Sequence, residues 1–440
     1  MAISSFMCCC MNMLSCFSNS KGRNRTHAME IMEEKEWGMV GKRGCQFVVE
    51  DKPFFINGFN TYWLMVLSAY ERKKEVTKVL HQASSVGLNV CRTWAFYDAG
   101  SRALQITPGV YNEKVFEGLD FVLSEAKRFG IRLILSFVNN WNAFGGKAQY
   151  VNWGRDAGLS ITCDDDFFSD PTIKGYYKAH VKAILNRVNT ITNVMYKDDP
   201  TIFAWELINE PRCPSDPSGD KLQAWIEEMA SYVKSIDPVH LLEIGEEGFY
   251  GYSNPDKMLL NPSRCAGEGG TDFIRNHQAS GIDFASVHMY PDSWIKQPDS
   301  KARLNFGRTW MQSHIDDADN VLGMPVVFGE FGVSRKHEGF SFSFRDTFIN
   351  MVHQTLLRST KKGGSGAGSL LWQLFTEGTE NMDDGYAVNL AKAPSVSHML
   401  ALQSKRLKNL VTKSSRKWFW SGKNKNLLNK FTTNHEEPQK

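Results

Sequence analysis

Short apolar runs alternate with segments of helical period from about residue 54 to residue 410, and this alternation limits the possible folds most strongly. Eight runs rich in β-branched and aromatic residues predict strands. The predicted strands are 54–60, 88–94, 131–138, 202–209, 239–244, 284–290, 326–331 and 370–375. The predicted helices between and after them are 73–86, 113–129, 173–196, 221–236, 272–279, 306–321, 343–359 and 396–410.

Eight strand-then-helix units in this order predict an α/β fold, the (β/α)8 or TIM barrel. Parallel strands need crossovers, which the helices supply, and strands that are apolar on both faces are typical of a sheet covered on both sides. An open doubly wound sheet is the alternative, but no glycine-rich dinucleotide turn follows any predicted strand. The glycine-rich segment 363–368 is predicted to be a flexible connector between the last helix and the last strand.

The domain boundaries follow from changes in composition. Residues 1–40 are predicted to form a flexible N-terminal tail, residues 41–410 the single barrel domain, and residues 411–440 a basic C-terminal tail. The basic side chains near the C-terminus are interpreted as a solvated helix end and tail; they are Lys405, Arg406, Lys408, Lys413, Arg416, Lys417, Lys423, Lys425 and Lys430. The net charge of the whole chain is only +3, which argues against a nucleic-acid partner.

The nine cysteines predict neither a structural zinc site nor a regular disulfide framework. Four lie at the N-terminus, at positions 8, 9, 10 and 16, and the other five are scattered without a C-x-x-C pair. The N-terminus lacks the basic and apolar regions of an ordinary secretory signal. Contact with a membrane is therefore expected only if the N-terminal cysteines are acylated, since no stretch of about 20 apolar residues exists.

Polar and aromatic residues stand at the carboxyl ends of seven of the eight predicted strands. In a barrel of this kind the loops after the strands form the functional face, so these residues are expected to converge there. In chain order they are Arg92 and Trp94; Asn139, Asn140 and Trp141; Asn209 and Glu210; Glu246 and Glu247; His288 and Tyr290; Glu330; and Trp372.

Two glutamates at strand ends form the central candidate pair. Glu210 lies in Trp-Glu-Leu-Ile-Asn-Glu-Pro and Glu330 in Val-Val-Phe-Gly-Glu-Phe-Gly, and each follows an apolar run. Two carboxyl groups from distant strands are what acid-assisted cleavage of a glycosidic bond requires. The alternative interpretations are a glutamate that begins a loop for Glu210 and an ion-paired or capping carboxylate for Glu330. Neither a cofactor nor a metal ion is expected.

The residues around this pair have two interpretations each. Arg92 can keep a carboxylate ionised or form an ion pair with Glu206 inside the barrel, and the two roles are compatible. Tyr290 can donate a hydrogen bond to one glutamate, and His288 can support the other. Trp372, Trp94 and Trp141 are candidate sugar platforms, with core packing as the alternative.

The strand-end segments resemble glycoside hydrolase family 5, and within it the plant endo-β-1,4-mannanases. They are Cys-Arg-Thr-Trp at residues 91–94, Val-Asn-Asn-Trp at 138–141, the segment 205–213, Val-His-Met-Tyr-Pro at 287–291, Gly-Glu-Phe-Gly at 329–332 and Leu-Trp-Gln at 371–373. The resemblance covers roughly residues 45–410. It implies a (β/α)8 barrel that hydrolyses internal β-1,4 bonds of mannan, galactomannan and glucomannan with retention.

The resemblance also implies the roles of individual residues. Glu210 is expected to be the acid/base, Glu330 the nucleophile, and Asn209 the group that binds the sugar 2-hydroxyl. Arg92, His288, Tyr290, Trp372, Trp94 and Trp141 are expected to bind substrate around them. A monomer is expected, and the family suggests secretion to the cell wall. The absence of a clear secretory signal departs from that pattern and leaves an intracellular protein possible.

Three other functions remain open on the sequence alone. A β-1,4-glucanase or a mannan transglycosylase would use the same barrel and the same carboxyl pair. A non-hydrolytic polysaccharide-binding protein and a membrane-tethered protein belong to other classes. For the mechanism, Glu210 is expected to have the higher pKa of the two glutamates, because it lies near a second carboxylate whereas Arg92 and Tyr290 favour ionised Glu330.

Overall fold

A computed structural model describes residues 37–431 except residue 298, and beyond residue 413 it describes the last helix by its backbone only. The N-terminal cysteine cluster and the first 36 residues of the predicted tail lie outside the described residues. Trp37 and Val40 already pack on the barrel, where the guanidinium of Arg132 lies 4.8 Å from the Trp37 ring and Val40 is buried. No helix in the described part of the chain is both long enough and apolar enough to cross a membrane.

Eight parallel strands form the central sheet, and the predicted barrel is confirmed. The strands are β1 (Ile56–Asn60), β2 (Val90–Trp94), β3 (Arg132–Ser136), β4 (Ile202–Glu206), β5 (Leu241–Glu243), β6 (Ala285–Met289), β7 (Val326–Phe331) and β8 (Gly366–Leu371). They pair in the order β5-β4-β3-β2-β1-β8-β7-β6. Between β5 and β6 two isolated backbone bonds replace a ladder: Asp283 donates to Leu242 over 2.8 Å and His288 to Glu247 over 3.1 Å.

A helix follows each strand and covers the outside of the barrel. The eight are α1 (Lys73–Ser85), α2 (Glu113–Arg128), α3 (Pro171–Leu185), α4 (Asp220–Ile236), α5 (Phe273–His277), α6 (Ser300–Asp317), α7 (Phe342–Lys362) and α8 (Pro394–Phe431). Shorter helices are Leu64–Ala69, Gly146–Asp156 and Pro291–Trp294, and short 3-10 or π turns are Asp164–Phe168, Tyr196–Asp198, Lys257–Leu260, Arg264–Glu268, Ala318–Leu322 and Glu380–Met382. Three differ from the prediction by more than five residues at one end: α3 ends 11 residues earlier than residue 196, α6 begins at Ser300 instead of residue 306, and the last helix continues past residue 410 to Phe431.

Local signals in the sequence explain where several helices begin and end. Asp170 caps α3, because its carboxylate accepts the backbone N–H groups of Thr172 and Ile173 over 2.8 and 3.0 Å. The proline at the first position of that helix lacks an N–H that would need a partner. Gly363 ends α7 in a left-handed conformation, with φ of 78°.

A small antiparallel sheet closes the amino end of the barrel. Its strands are Gly41–Arg43, Gln46–Val49 and Lys52–Phe54. Phe47 is fully buried and packs edge-on against Phe203 and Phe284, with ring centres 5.0 and 5.2 Å away. These rings belong to a second core inside the barrel, separate from the large core between strands and helices. The sequence prediction missed this sheet, since its strands have only three or four residues each. The remaining short strands are Gln105–Thr107, Val110–Tyr111, Leu374–Phe375 and Val388–Asn389.

The last barrel strand lies four residues earlier than predicted. Strand β8 begins at Gly366, within the segment predicted to be a flexible connector, and that prediction was wrong. The glycines are required by close packing rather than by flexibility. A Cβ added at Gly368 would lie 2.3 Å from the Cβ of Ile56 and 2.5 Å from its carbonyl oxygen on the adjacent β1.

Gly368→Ala should therefore destabilise the barrel. We expect the free energy of unfolding to fall by about 2–3 kcal/mol, because the new methyl group must displace the backbone of β1. Gly175→Ala is the matched control: nothing lies within 4 Å of its added Cβ, and the residue is in helix α3. Alanine there should stabilise the protein slightly. Urea unfolding of both variants measures the difference, and equal stabilities would contradict the packing argument.

Candidate active site

Glu210 lies just beyond the end of β4, where the backbone turns sharply. Its φ is +50°, a left-handed conformation that glutamate rarely adopts. Its N–H donates to the carbonyl oxygen of Gly245 over 2.9 Å, and the preceding Asn209 forms a bridge to Asn139 beyond β3. Pro211 cannot continue a strand ladder. The chain therefore turns here with the Glu210 side chain at the carboxyl end of the barrel, and such backbone strain is common at functional sites.

Glu330 lies within strand β7, and its carboxylate is almost fully buried. It is 3% exposed and forms a salt bridge with Arg92, whose Nη1 lies 2.6 Å from Glu330 Oε1. The hydroxyl of Tyr290 donates a short hydrogen bond to the other oxygen, Oε2. Both oxygens thus accept hydrogen bonds from rigid donors, and the carboxylate has a fixed orientation.

The buried guanidinium of Arg92 binds four side chains. Three of them lie at strand ends, and the fourth lies inside the barrel. Besides Glu330, it donates to Glu206 over 2.7 Å, to the Oδ1 of Asn209 over 2.6 Å and to the Oδ1 of Asn60 over 3.1 Å. Both predicted roles of Arg92 therefore occur together. Glu206 is the partner inside the barrel, and burial of this arginine is offset by two carboxylates.

The two candidate glutamates face each other across His288. The imidazole Nδ1 lies 2.8 Å from Glu210 Oε1 and 3.7 Å from Glu330 Oε2. One oxygen of each carboxylate and this nitrogen all lie within 4.8 Å of one another. Three such atoms are close enough to ligate a metal ion. However, Arg92 and the imidazole already supply the hydrogen-bond donors and positive charge that the two carboxylates need.

The pKa order of the two glutamates is the reverse of the expected one. Burial raises the pKa of Glu330. His288, Arg92 and Tyr290 act to lower it, but their combined effect is smaller than that of burial. For Glu210 burial also acts upward, but hydrogen bonds from His288 and Trp141 outweigh it and lower the pKa. The pKa of His288 is raised, despite burial, by the two carboxylates beside it. The expectation was wrong because the sequence does not place an imidazole between the two carboxyl groups.

The candidate tryptophans occupy different positions around the pair. Trp141 is 42% exposed, and its Nε1 donates to Glu210 Oε2 over 2.6 Å. Trp372 is half-buried and donates its Nε1 to Asp384 over 2.8 Å. Trp94 is buried, with its ring centre 6.3 Å from that of Trp372, and its Nε1 contacts no described acceptor. Tyr62 completes this aromatic wall, stacked at 6.1 Å from Trp372.

Several residues of the site were not assigned to it from the sequence. Asn60 holds Arg92, Asn139 accepts from Asn209, and Tyr62 packs on Trp372. Arg212 pairs with Glu247 and lies over the Trp141 ring, 5.1 Å from its centre. Asn139 was among the strand-end residues expected at this face but was given no role, and Asn60, which ends β1, could have been found by the same rule. Tyr62 lies two residues beyond Asn60 and Arg212 two residues beyond Glu210, in loops where strand periodicity gives no orientation.

Comparison with known proteins agrees with this geometry. A model of the family described as "GH family 5 beta-mannosidase-like" matches residues 38–384. Mannan endo-1,4-beta-mannosidase 8 of Oryza sativa is 61% identical over 364 residues, which cover 82% of this chain and 98% of the relative. Mannan endo-1,4-beta-mannosidase 7 of Arabidopsis thaliana is 50% identical, with 84% of this chain and 85% of the relative covered. The crystal structure of an endo-beta-1,4-mannanase from Thermotoga petrophila superimposes with a TM-score of 0.68 at 31% identity, covering 80% of this chain and 76% of the other.

Removing the positive charge of Arg92 should destabilise the protein in a pH-dependent way. Arg92→Met leaves the buried carboxylates of Glu206 and Glu330 without their cation, which should cost about 3–5 kcal/mol at neutral pH. In the variant Glu330 loses the cation that lowers its pKa, so burial raises that pKa further above the value in the unfolded chain. The folded state then binds more protons than the unfolded state, so the deficit should shrink as the pH falls from about 8 to about 5.

Urea unfolding at pH 8 and pH 5 measures this effect. Arg128→Met is the matched control, because Arg128 is 57% exposed and pairs only within its own helix. Its cost should be small and equal at both pH values, because an exposed ion pair contributes little to stability. A deficit for Arg92→Met that does not change with pH would contradict the role given to the guanidinium.

Proposed function

The chain belongs to glycoside hydrolase family 5, in its beta-mannosidase-like group, and on this basis we propose that it hydrolyses internal β-1,4-mannosidic bonds. Mannan, galactomannan and glucomannan are the proposed substrates, since plant relatives with 50–61% identity are named mannan endo-1,4-beta-mannosidases. The observation that carries the chemistry is the juxtaposition of Glu210 and Glu330, with carboxylate oxygens within 4.8 Å at the carboxyl end of the barrel.

The separation of the carboxyl groups supports a retaining reaction. Retaining glycosidases hold their two carboxyl groups about 5–5.5 Å apart, whereas inverting enzymes need about 6.5–9.5 Å to admit a water molecule between carboxylate and sugar. A distance within 4.8 Å between the nearest atoms of Glu210 and Glu330 fits the first class. The reaction then proceeds by two displacements through a glycosyl-enzyme ester.

Glu330 is the proposed nucleophile. Arg92 and Tyr290 each bind one of its oxygens and hold the carboxylate in place for attack on the anomeric carbon. Burial gives Glu330 a raised pKa, which makes its carboxylate less stable and more nucleophilic than a solvated one. The arginine remains as a counter-charge when Glu330 becomes neutral in the ester.

Glu210 is the proposed acid/base, and His288 supplies its proton. The hydrogen bond from His288 Nδ1 to Glu210 Oε1 is 2.8 Å long, so a proton can pass directly from imidazolium to carboxylate. A neutral sugar bound over Glu210 excludes water and raises its pKa, which favours this transfer. Glu210 then gives this proton to the glycosidic oxygen as the bond to the leaving sugar breaks and Glu330 forms the ester. In the second displacement the ionised Glu210 takes a proton from the incoming water, whose oxygen bonds the anomeric carbon while Glu330 leaves as a carboxylate, and Glu210 can pass that proton back to His288.

The amide of Asn209 is oriented by both of its ends. Its Oδ1 accepts from Arg92 over 2.6 Å, and its Nδ2 donates to Asn139 over 3.0 Å. One N–H of Nδ2 remains available, which suits the proposed bond to the sugar 2-hydroxyl. Such a bond strengthens as the ring flattens and stabilises the transition state selectively.

The remaining proposals concern binding and location. Trp372, Trp94 and Trp141 offer aromatic faces or edges on which a sugar ring can pack. No cofactor takes part in the proposed reaction, and one chain supplies every group described above, so we propose that a monomer is active. Because mannan is a polymer of plant cell walls, we also propose that the enzyme acts there.

A β-1,4-glucanase and a mannan transglycosylase remain the competing activities. Both would use the same carboxyl pair, so the geometry of Glu210 and Glu330 does not separate them from the proposed function. Incubation of the purified protein with galactomannan, glucomannan and carboxymethylcellulose separates them. The proposal requires a clear preference for the first two substrates and a predominance of hydrolysis products. Products longer than the starting oligosaccharide would instead favour transglycosylation.

Replacing either glutamate should abolish hydrolysis. We expect Glu330→Ala and Glu210→Ala each to lose at least about 1,000-fold in kcat, because neither displacement proceeds without its carboxyl group. The folded state should survive, with melting temperatures within a few degrees of the parent protein. Azide should rescue Glu330→Ala and give a glycosyl azide of inverted configuration, detectable by NMR. A loss of only a few-fold in either variant would remove the mechanism.

Trp141→Phe should move the pH dependence of the reaction. The change removes the N–H that donates to Glu210 and lowers its pKa, so the pKa of Glu210 should rise. The general acid then keeps its proton to higher pH, and the alkaline limb of kcat/KM should move upward. Tyr252→Phe, an exposed aromatic change, is the control and should leave the limb in place. A downward or absent shift in Trp141→Phe would contradict the assignment.

A further inference from the structure

A single carboxylate in the loop after β8 fixes three groups next to the site. Asp384 Oδ2 accepts from Nε1 of Trp372 over 2.8 Å and from Nε2 of Gln373 over 2.9 Å. Its other oxygen, Oδ1, accepts from the backbone N–H of Tyr386 over 2.9 Å. No role in the reaction described above uses Asp384, although it contacts the proposed sugar platform directly.

The contacts of Asp384 extend to the nucleophile on the other side of the groove. The ring of Tyr386 packs edge-on against that of Tyr290, with centres 5.1 Å apart. Tyr290 in turn donates to Glu330. The carboxylate therefore holds the indole of Trp372 directly and the phenol of Tyr290 through one packed ring.

The backbone around Asp384 leaves little room for adjustment. A Cβ added at Gly332, just after β7, would lie 2.5 Å from the carbonyl oxygen of Trp372 and 2.9 Å from Cδ1 of Tyr386. Trp372 and Tyr386, two of the three residues that donate to Asp384, thus also approach each other closely beside strand β7. A half-exposed indole has one polar atom, and loss of the acceptor for that atom would free the ring to rotate.

We propose that Asp384 is a positioning residue that fixes the Trp372 indole and the Tyr290 phenol relative to each other around the sugar ring that Glu330 attacks. This inference rests on the proposed function, since it assigns Trp372 to substrate. Its physical basis is preorganisation: ring positions set before substrate binds do not have to be ordered during the reaction.

A double-mutant cycle tests the proposal on mannohexaose with the full chain. Asp384→Ala should lower kcat/KM by about tenfold or more, since misplacement of a binding group by about 1 Å has effects of this size. In the Trp372→Ala background the same change should cost less than about threefold, because the indole held directly by Asp384 is gone and only the indirect effect on Tyr290 through Tyr386 remains. A role in holding the loop alone would give the same loss in both backgrounds.

Two further variants sharpen the test. Glu380→Ala removes an exposed carboxylate of the same loop. In the described residues this carboxylate accepts a hydrogen bond from the backbone N–H of Gly378, so the variant should keep nearly full activity. The kcat/KM of Asp384→Asn should lie between those of the parent and Asp384→Ala. The amide oxygen can still accept from one donor, but the NH2 group faces another donor. The urea concentration at the midpoint of unfolding should be nearly the same for all variants.

Three results would overturn the inference: equal losses for Asp384→Ala in the two backgrounds, an equal loss for Glu380→Ala, or no loss for Asp384→Ala. Failure of the proposed function gives a different pattern, in which the parent protein itself does not hydrolyse mannohexaose. An active parent with an additive cycle would therefore reject the positioning role of Asp384 and leave the mannanase assignment intact.

Discussion

The buried guanidinium of Arg92 is the interaction on which the rest of the site depends. It binds Glu206 inside the barrel, Glu330 on β7 and the amide oxygen of Asn209 beyond β4. A charge buried this deeply is tolerated only because two carboxylates and two amide oxygens compensate it. The same contacts fix Glu330, the proposed nucleophile, and the amide proposed to bind the sugar, so the cation that pairs with Glu206 in the barrel interior also orients both proposed catalytic groups.

Next to this centre an imidazole lies between the two carboxylates. His288 Nδ1 is 2.8 Å from Glu210 and 3.7 Å from Glu330; both carboxylates raise the pKa of His288, and His288 acts to lower the pKa of each of them. In the ligand-free site the imidazole favours ionised Glu210, while burial disfavours ionised Glu330. A substrate that excludes water from Glu210 changes this balance in the direction that acid catalysis needs.

Much of the fold and the grouping of the central side chains was predictable because both follow from periodic patterns. Apolar runs alternate with helical segments throughout the barrel, and strand ends mark its functional face, which located Glu210, Glu330, Arg92 and His288. Strand β8 was misplaced, since Gly366 and Gly368 look like a linker unless the contact with Ile56 is known. The pKa order and the contacts of Asp384 were out of reach because they depend on side chains from separate loops.

The seam between β5 and β6 gives the barrel a line of weakness that runs through its reactive end. Two isolated main-chain bonds join these strands, and one of them links His288 to Glu247. Hydrogen exchange should be fastest along such a seam, because few ladder bonds must break for it to open. Thermal inactivation can then precede global unfolding. His288, the proposed proton donor of Glu210, would move away from Glu210 while the other seven strand pairs remain intact.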